Sequence, residues 1–438
     1  MSSIVINDTK GLATHDNDLS ADVGSTSLAD NVVFDRDGRP GRRRGFKDYS
    51  SNLPDFAPTQ LIASASQDQA YLHLDNGIWY NSGGTWYRKR GSFGAKFAQP
   101  SAMWVDTSAN VVYVCDISKR VIYSVNLTTG ARAILAGGYG YAAGTTDGVG
   151  FAARFSSPKG ICGDGAGNLY VSDNGNYTIR KIVISTATVS TFAGTAGAPG
   201  TADGTGAAAA FTSPEGMWCD GAGAIYVCDQ HAIRKITYPG AIVTTFAGSV
   251  LTSGTTDATG TAARFNVPVS LWGDGAGVLY VADGDNSSVR KVTYPGAVVT
   301  TFAGLTGTGG NADGIGTAAR LSSPTGIVGG SGVLWVTDNF SAIRKITYPG
   351  AVVTSPLGLY NAQGSTDAIG TAARFNAPKH VALVDSGAAM LVGDYSNAML
   401  RKVYLSTLYV STLAGIVGVG SASAQGLFAD GIVLGPSE

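Results

Sequence analysis

Short apolar segments alternate with glycine-rich turns along most of the chain. After Pro158 four such segments follow one another: KGICGD, NLYVSD, TIRKIVI and TVSTFAG. A period of two between apolar residues is typical of strands with one buried face. Turns such as DGAGN supply the glycines that tight hairpins need, and TYPG recurs at 237–240, 293–296 and 347–350. The pattern predicts a four-stranded antiparallel meander.

This unit occurs six times, at intervals of 54 to 58 residues. Each copy begins at a proline: Pro100, Pro158, Pro214, Pro268, Pro324 and Pro378. A single small sheet cannot bury both of its faces, so the sheets are expected to stack face to face. Closing the stack into a ring removes its exposed ends. The sequence therefore predicts an all-β fold, a β-propeller of four-stranded blades.

The regions outside the six copies leave the number of blades open. Residues 58–96 alternate apolar and polar positions without matching the repeat, which indicates a divergent first blade. Residues 97–415 hold the six repeats, and residues 416–438 are interpreted as a closing segment. Seven blades is the first choice and six is the alternative. Residues 1–57 are predicted to form an extended N-terminal docking arm.

Long links such as TTDGVGFAARF (145–155) join the repeats. Such loops are usually functional or packed. The recurring aspartate is expected to cap a short helical turn, and the recurring arginine is expected to reach an adjacent blade.

The repeat itself resembles a known family. The motifs that carry the resemblance over residues 97–415 are P-x-G-I, D-x-x-G-x-L-Y-V-x-D, I-R-K-I and V-x-T-F-A-G. This pattern is similar to that of NHL-repeat propellers. The resemblance implies the propeller fold. It leaves function open, because propellers of this type serve as binding platforms, signalling modules and occasionally enzymes.

A second, looser resemblance covers residues 11–51. The sequence of this stretch is GLATHDNDLSADVGSTSLADNVVFDRDGRPGRRRGFKDYSS. It is similar to the start of structural proteins of short-tailed bacteriophages, in which such a segment precedes a propeller body. Those proteins form the tail nozzle or the ring that seals packaged DNA. The clean repeats and the short chain depart from the nozzle pattern, and a smaller tail adaptor is equally compatible.

One aspartate ends the second strand of every repeat. In a ring these carboxylates would lie at equivalent radii and could bind a cation or a basic partner at the channel mouth. The structural alternative, which we favour, is that each accepts hydrogen bonds from the backbone of the following turn. The residues are Asp116, Asp173, Asp229, Asp283, Asp338 and Asp394.

Arginine–lysine pairs such as Arg180–Lys181 recur on the third strand. Neighbours on a strand point to opposite faces, so the arginine is expected to pair with a carboxylate between blades and the lysine to face solvent. A separate basic run precedes the repeats. It is interpreted first as a subunit-docking contact, then as a solvated hairpin, and last as a DNA contact. The run comprises Arg36, Arg39, Arg42, Arg43, Arg44 and Lys47.

Composition narrows the function classes. The net charge is -1, and no apolar run reaches the roughly 20 residues that a membrane helix needs. The cysteines show no C-x-x-C spacing and two occupy equivalent repeat positions, so disulfides are not expected. The four histidines lack metal-ligand spacing, and no catalytic motif such as G-x-S-x-G or H-E-x-x-H is present. We expect no enzyme activity, no metal and no cofactor.

These patterns predict a structural virion protein, a subunit of a bacteriophage tail nozzle or head-to-tail adaptor. It would assemble in the host cytoplasm, form a hexamer around the DNA exit channel, and contact tail or portal-adaptor proteins and packaged DNA. The alternative is an NHL-type binding module that recognises a host carbohydrate or protein receptor. A third, weaker hypothesis is a hydrolase or lyase with a metal in the channel.

Overall fold

The computed structural model describes residues 97–138 and 142–415 in full, together with the backbone of nine short strands between residues 4 and 88. From residue 100 to residue 414 each repeat forms one four-stranded antiparallel sheet, which we call a blade. Strands are numbered 1 to 4 within each blade in chain order. Consecutive strands are hydrogen-bonded neighbours, as the alternating pattern predicts.

The strands of blade 1 are Pro100–Asp106, Val111–Asp116, Val121–Asn126 and Arg132–Ala136. Those of blade 2 are Pro158–Gly163, Asn168–Asp173, Thr178–Val183 and Thr188–Ala193. Those of blade 3 are Pro214–Cys219, Ala224–Asp229, Ala232–Thr237 and Ile242–Gly248. Those of blade 4 are Pro268–Gly273, Val278–Asp283, Ser288–Thr293 and Val299–Ala303. Those of blade 5 are Pro324–Gly330, Val333–Asp338, Ala342–Thr347 and Val352–Gly358. Those of blade 6 are Pro378–Val384, Ala389–Asp394, Met399–Tyr404 and Tyr409–Ala414.

The six blades form a closed ring. Strand 1 of each blade lies against strand 1 of both neighbouring blades, so these strands surround the central axis. Blade 1 meets blade 6 directly: the Met103 side chain and the Pro100 carbonyl lie against Gly393. The ring therefore has six blades, the alternative count, and the preference for seven was wrong.

The hydrophobic core is divided among the six blade junctions. Each junction holds one cluster of buried residues contributed by the two sheets that face each other. At the closing junction, Val114 of blade 1 packs with Leu391 and Leu400 of blade 6. Because no blade buries both faces alone, the ring is the unit that acquires a core.

The strands before residue 97 form separate sheets. Strands Gln60–Ala63, Ala70–Leu74, Gly77–Ser82 and Thr85–Arg88 form a meander, as the alternation of residues 60–91 predicts. Strand Ile4–Asn7 pairs with Gln60–Ala63 at the edge of this meander. Strands Leu12–Thr14 and Asn17–Ala21 follow Ile4–Asn7 in the sheet, which therefore has seven strands. The closed ring leaves no gap for a seventh blade. The domain boundaries at residues 57, 96 and 415 stay predictions.

The links add short elements to the outer edges of the blades. Two-residue strands at Gly148–Val149, Gly204–Thr205 and Gly314–Ile315 pair with strand 4 of blades 2, 3 and 5. A 3-10 turn follows in five links, at Gly150–Ala152, Gly206–Ala208, Gly260–Ala262, Gly316–Ala318 and Gly370–Ala372. Further 3-10 turns lie at Asn174–Asn176, Asp385–Gly387 and Tyr395–Asn397.

The predicted roles of the two link residues were wrong. The 3-10 turns of the links receive no side-chain cap, because the link aspartate lies too far ahead of the turn. The link arginines Arg264, Arg320 and Arg374 donate to carbonyls of their own turns and do not reach an adjacent blade through these bonds.

The expectation of no disulfide was also wrong. Cys162 of blade 2 is bonded to Cys219 of blade 3, with 5.8 Å between their Cα atoms. The two cysteines occupy different repeat positions, fifth and sixth on strand 1. At three other junctions the same pair of positions holds a tryptophan packed on a glycine: Trp104 on Gly163, Trp218 on Gly273, and Trp272 on Gly329. The disulfide therefore replaces a packing contact between blades.

Candidate functional site

A charged network recurs in blades 2 to 6. In blade 4, Arg290 Nη1 donates to Asp283 Oδ2 at 2.9 Å, and Arg290 Nη2 donates to Asp257 Oδ1 of the preceding link at 2.5 Å. The equivalent trios are Asp173–Arg180–Asp147, Asp229–Arg234–Asp203, Asp338–Arg344–Asp313 and Asp394–Arg401–Asp367. In blade 1, Tyr123 occupies the arginine position.

The strand-end aspartates are fully buried and do not line the channel mouth. All six side chains have no exposed surface. Their main donors are backbone N–H groups ahead of strand 1, such as those of Ser156 and Ser157 for Asp173. Most of these donors precede strand 1, and donors from the turn after strand 2, which the sequence favours, occur at Asp116 and Asp338, from the N–H groups of Lys119 and Phe340. The network ties the start of strand 1, the end of strand 2 and the link together.

The arginines act within their own blades. Each joins the strand-end aspartate of the same sheet to the link that packs on its outer edge, so the expected contact between blades was wrong. In blades 2, 3, 4 and 6 the guanidinium also lies over a phenylalanine ring, at 5.2 to 5.4 Å from the ring centroid. A network that repeats in five blades serves the fold of each blade.

A different set of positions varies from blade to blade. The residue after the repeat proline is Ser101, Lys159, Glu215, Val269, Thr325 and Lys379 in blades 1 to 6. These residues lie at the start of strand 1, on the end of the ring where strand 2 ends. We call this end the cluster face. Positions that are constant between repeats maintain the blades, whereas a site made by the whole ring needs residues that differ.

Three of these residues are charged, and they come from the innermost strands of three different blades on the cluster face. Lys159 Nζ lies 2.5 Å from Glu215 Oε1, across the junction of blades 2 and 3. Lys379 comes from blade 6, on the opposite side of the ring, and its ammonium donates to Asn339 Oδ1 at 3.3 Å. We call Lys159, Glu215 and Lys379 the axial cluster.

Polar neighbours hold the carboxylate of the axial cluster in place. Asn174 Nδ2 and Ser213 Oγ each lie 3.4 Å from Glu215 Oε1. The Lys379 ammonium lies 5.8 Å from the centroid of the Tyr395 ring. The cluster thus combines ammonium, carboxylate, amide, hydroxyl and aromatic groups.

Burial and mutual charge set the electrostatics of the axial cluster. Burial raises the pKa of Glu215, and the ammonium of Lys159 opposes that shift. Burial lowers the pKa of Lys379, while the charge of Glu215 opposes it and that of Lys159 adds to it. The three charged residues each belong to strand 1, the strand nearest the axis in blades 2, 3 and 6. Two lysines and one glutamate give the cluster a surplus of one positive charge.

Two histidines lie in the described repeats, and neither is a member of the axial cluster. His231 Nδ1 accepts a hydrogen bond from the Val267 N–H at 3.2 Å. His380 occupies a position that is glycine in three blades, and burial lowers its pKa to about 4. Across the described residues, no three His, Cys, Asp or Glu side chains come together as a metal site would require.

The basic run lies outside the residues whose side chains the structure describes. The backbone of Val32–Phe34 pairs with that of Pro40–Arg42 as a two-stranded hairpin. The side chains of Arg36, Arg39, Arg42, Arg43, Arg44 and Lys47 are not described, and their assigned roles stay predictions.

Sequence reasoning did not identify the axial cluster. It singled out what the repeats share, namely the aspartates and arginines, which the structure places in the interior of the blades. The signal that identifies the cluster is the opposite one: a position that varies in charge from repeat to repeat, directly after a constant proline.

Comparisons with known proteins support the fold. No protein-family profile matches the chain. The chain is 27% identical over 305 residues to NHL repeat-containing protein 2 of Bos taurus, covering 61% of this chain and 42% of that protein. It is 32% identical over 141 residues to the chloroplastic protein SUPPRESSOR OF QUENCHING 1 of Arabidopsis thaliana, covering 31% of this chain and 13% of that protein. The chain spans less than half the length of these curated relatives.

Solved structures give the same architecture. An auxiliary nutrient binding protein from Bacteroides ovatus aligns with a TM-score of 0.53 at 15% identity, over 74% of this chain and 72% of that one. A protein of the same description from Bacteroides thetaiotaomicron aligns with a TM-score of 0.51 at 13% identity, over 81% and 94%. Identities this low show the fold alone.

Repeats, ring and relatives together make this chain an NHL-like β-propeller, as the pattern of residues 97–415 predicted. None of these relatives is named as a phage protein, and they do not support the resemblance of residues 11–51 to phage tail proteins. In the described part of the chain, no helix has the length and apolar character needed to span a membrane.

Proposed function

We propose that this protein is a non-catalytic binding module that recognises a carbohydrate on its cluster face. The observation that carries the proposal is the Lys159–Glu215 ion pair, which joins two blades on the cluster face, with the charge of Lys379 from a third blade acting on both residues. The repeat needs none of these residues for its fold, since serine, valine and threonine occupy the same position in other blades.

The chemistry of the face favours a hydroxyl-rich ligand. Its groups are ammonium, carboxylate, amide and hydroxyl, which offer both donors and acceptors to sugar hydroxyls. Protein partners usually bury aromatic and apolar residues at the centre of an interface. The centre of this face is polar and charged instead. The two structural neighbours described as auxiliary nutrient binding proteins fit a binding role for such a ring.

The phage-tail hypothesis remains a second proposal. It rests on residues 11–51, and neither the described side chains nor the relatives support it. A hexameric assembly, contacts with tail proteins and a place in the virion would follow from that hypothesis alone.

An array of immobilised neutral and acidic saccharides tests the binding proposal. The wild-type protein is expected to bind a subset, and the Lys159→Ala/Lys379→Ala double variant is expected to lose at least tenfold in affinity for that subset. Lys181→Ala is the matched control, because Lys181 lies on strand 3, away from the axis, and should leave binding unchanged. Absence of binding by the folded wild type, or equal binding by the double variant, would contradict the proposal.

A further inference from the structure

Blade 5 carries a second feature on the cluster face, in the turn between its strands 2 and 3 and in the loop after its strand 4. The rings of Phe340 and Tyr360 stack with 5.4 Å between their centroids and 27° between their planes. Phe340 remains 43% exposed, although it is a large apolar side chain. We propose that this pair and the cleft beside it form a subsite for one pyranose ring of a neutral saccharide. This inference rests on the proposed function, because it treats the subsite as part of the same recognition face.

The aromatic pair is held rigidly. The Tyr360 hydroxyl lies 3.2 Å from Ser322 Oγ, which fixes one end of the ring. The Asn361 N–H donates to the Phe340 carbonyl at 2.8 Å and ties the loop after strand 4 to the turn between strands 2 and 3. A platform that is ordered before binding loses little conformational entropy when a ligand arrives.

A cleft of about 280 Å³, lined by both polar and apolar groups, lies next to the platform. Tyr360, Leu359 and Arg344 form part of its lining, and the polar residues Asn311, Asp313, Ser355 and Thr371 complete much of the remainder. Sites for drug-sized ligands are usually roughly 300–1,000 Å³. The cleft is therefore large enough for a single sugar ring and too small for a longer ligand to enter whole.

The network behind the cleft differs from those of most other blades in its packing. Arg344 Nη1 lies 3.5 Å from Asp338 Oδ2, close to the 3.4 Å of the equivalent contact in blade 2. In blade 5 a leucine, Leu321, replaces the phenylalanine on which the arginine lies in four other blades. The arginine behind the cleft thus packs on an aliphatic side chain in place of an aromatic ring.

The charge of the residues that line the cleft favours a sugar over a nucleobase as the ring that stacks on Phe340 and Tyr360. A nucleobase would bring a phosphate backbone, which needs a basic surface. The exposed charge in this cleft is the half-exposed carboxylate of Asp313, and the buried Arg344 is already paired with two aspartates. The C–H face of a pyranose packs well on the electron-rich face of an aromatic ring, and its hydroxyls suit the amide, hydroxyl and carboxylate groups beside it.

The feature is specific to blade 5. At the two residues after the glycine of the repeat (Gly194, Gly248 and Gly358), blade 5 has Leu359 and Tyr360, whereas blade 2 has Thr195 and Ala196 and blade 3 has Ser249 and Val250. The repeat therefore does not require this aromatic pair.

Saturation-transfer NMR with methyl β-glucopyranoside, methyl β-galactopyranoside and methyl α-mannopyranoside tests the subsite. At least one glycoside should receive saturation on its ring C–H protons. Phe340→Ala, and independently Tyr360→Leu, should weaken its affinity about tenfold. Tyr409→Ala is the matched control, because Tyr409 belongs to another exposed stacked pair, with Tyr404, outside the cleft. That variant should behave as wild type.

The outcomes separate this inference from the axial proposal. The signal should persist in Lys159→Ala, since Lys159 lies at the junction of blades 2 and 3, away from blade 5. Saturation transfer that is equal in Phe340→Ala and wild type overturns the subsite alone. So does the absence of transfer to all three glycosides while the saccharide array still detects binding that depends on the two lysines. Binding of a proline-rich peptide to the platform in place of any glycoside would also overturn it.

Discussion

Arg290 and Asp283 form a fully buried ion pair, with 2.9 Å between Nη1 and Oδ2. Removal of one partner from such a pair leaves an uncompensated buried charge, which typically costs about 3–5 kcal/mol. We expect Arg290→Ala to lower the free energy of unfolding by that amount in urea denaturation. Lys291→Ala, its neighbour on the same strand, should change it by less than about 0.5 kcal/mol. Similar values for both variants would show that the network does not stabilise the blades.

The disulfide between Cys162 and Cys219 closes a segment of 57 residues. Cross-links over such a distance usually contribute about 2–4 kcal/mol, largely by restricting the unfolded chain. We expect Cys162→Ser/Cys219→Ser, or dithiothreitol added to the wild type, to lower the free energy of unfolding by about that amount.

A compensating variant checks that the disulfide replaces a packing contact. Cys162→Trp/Cys219→Gly rebuilds the pair seen at Trp218 and Gly273. It should recover much of the lost stability and should be insensitive to reductant. If it is no more stable than the double serine variant, the two kinds of contact are not interchangeable.

The tryptophan–glycine contacts also make a prediction of their own. A Cβ added to Gly273 would lie 2.4 Å from the Trp218 ring, too close without movement of the ring. Overpacking of this kind typically costs about 1–3 kcal/mol. Gly273→Ala should therefore destabilise the ring, and a second substitution, Trp218→Leu, should relieve part of the effect. Additive losses in the double variant would argue against direct contact.

His380 predicts a specific acid sensitivity. Burial lowers its pKa from 6.5 to about 4, so the unfolded chain binds a proton at His380 more readily than the folded protein between these pH values. Its contribution to stability is therefore complete above about pH 6.5 and is lost as the pH falls towards 4. The loss is on the order of 2–3 kcal/mol. His380→Ala should remove this part of the pH dependence in parallel denaturation curves at pH 7 and pH 4.5. If the free energies of unfolding of wild type and His380→Ala differ by the same amount at pH 7 and at pH 4.5, the prediction is contradicted.

The sequence was sufficient for the blade but not for the count of blades. Each blade follows from local alternation and turn residues, such as Gly165 and Gly167 of the DGAGN turn, which both have positive φ. The count depends on which sheets meet at closure. The alternating residues of 60–88 pair with the strand Ile4–Asn7, a contact between distant segments that no local pattern contains.

The candidate site was harder to predict for a related reason. Repetition draws attention to residues such as Asp283 and Arg290, whose spacing is constant because they hold every blade together. Lys159 and Lys379 are separated by more than two hundred residues, and the fold of the ring is what lets the charges of both act on Glu215. Likewise, Cys162 and Cys219 meet because their positions differ by one residue within the repeat.

Hydrogen–deuterium exchange with and without the best saccharide from the array tests recognition on the cluster face most directly. Binding there should slow exchange at the starts of strand 1 and the ends of strand 2, around Lys159, Glu215, Asn339 and Lys379. The opposite end of the ring, including the turns at 164–167, 220–223 and 274–277, should exchange as in the free protein. Protection confined to those turns would contradict the account.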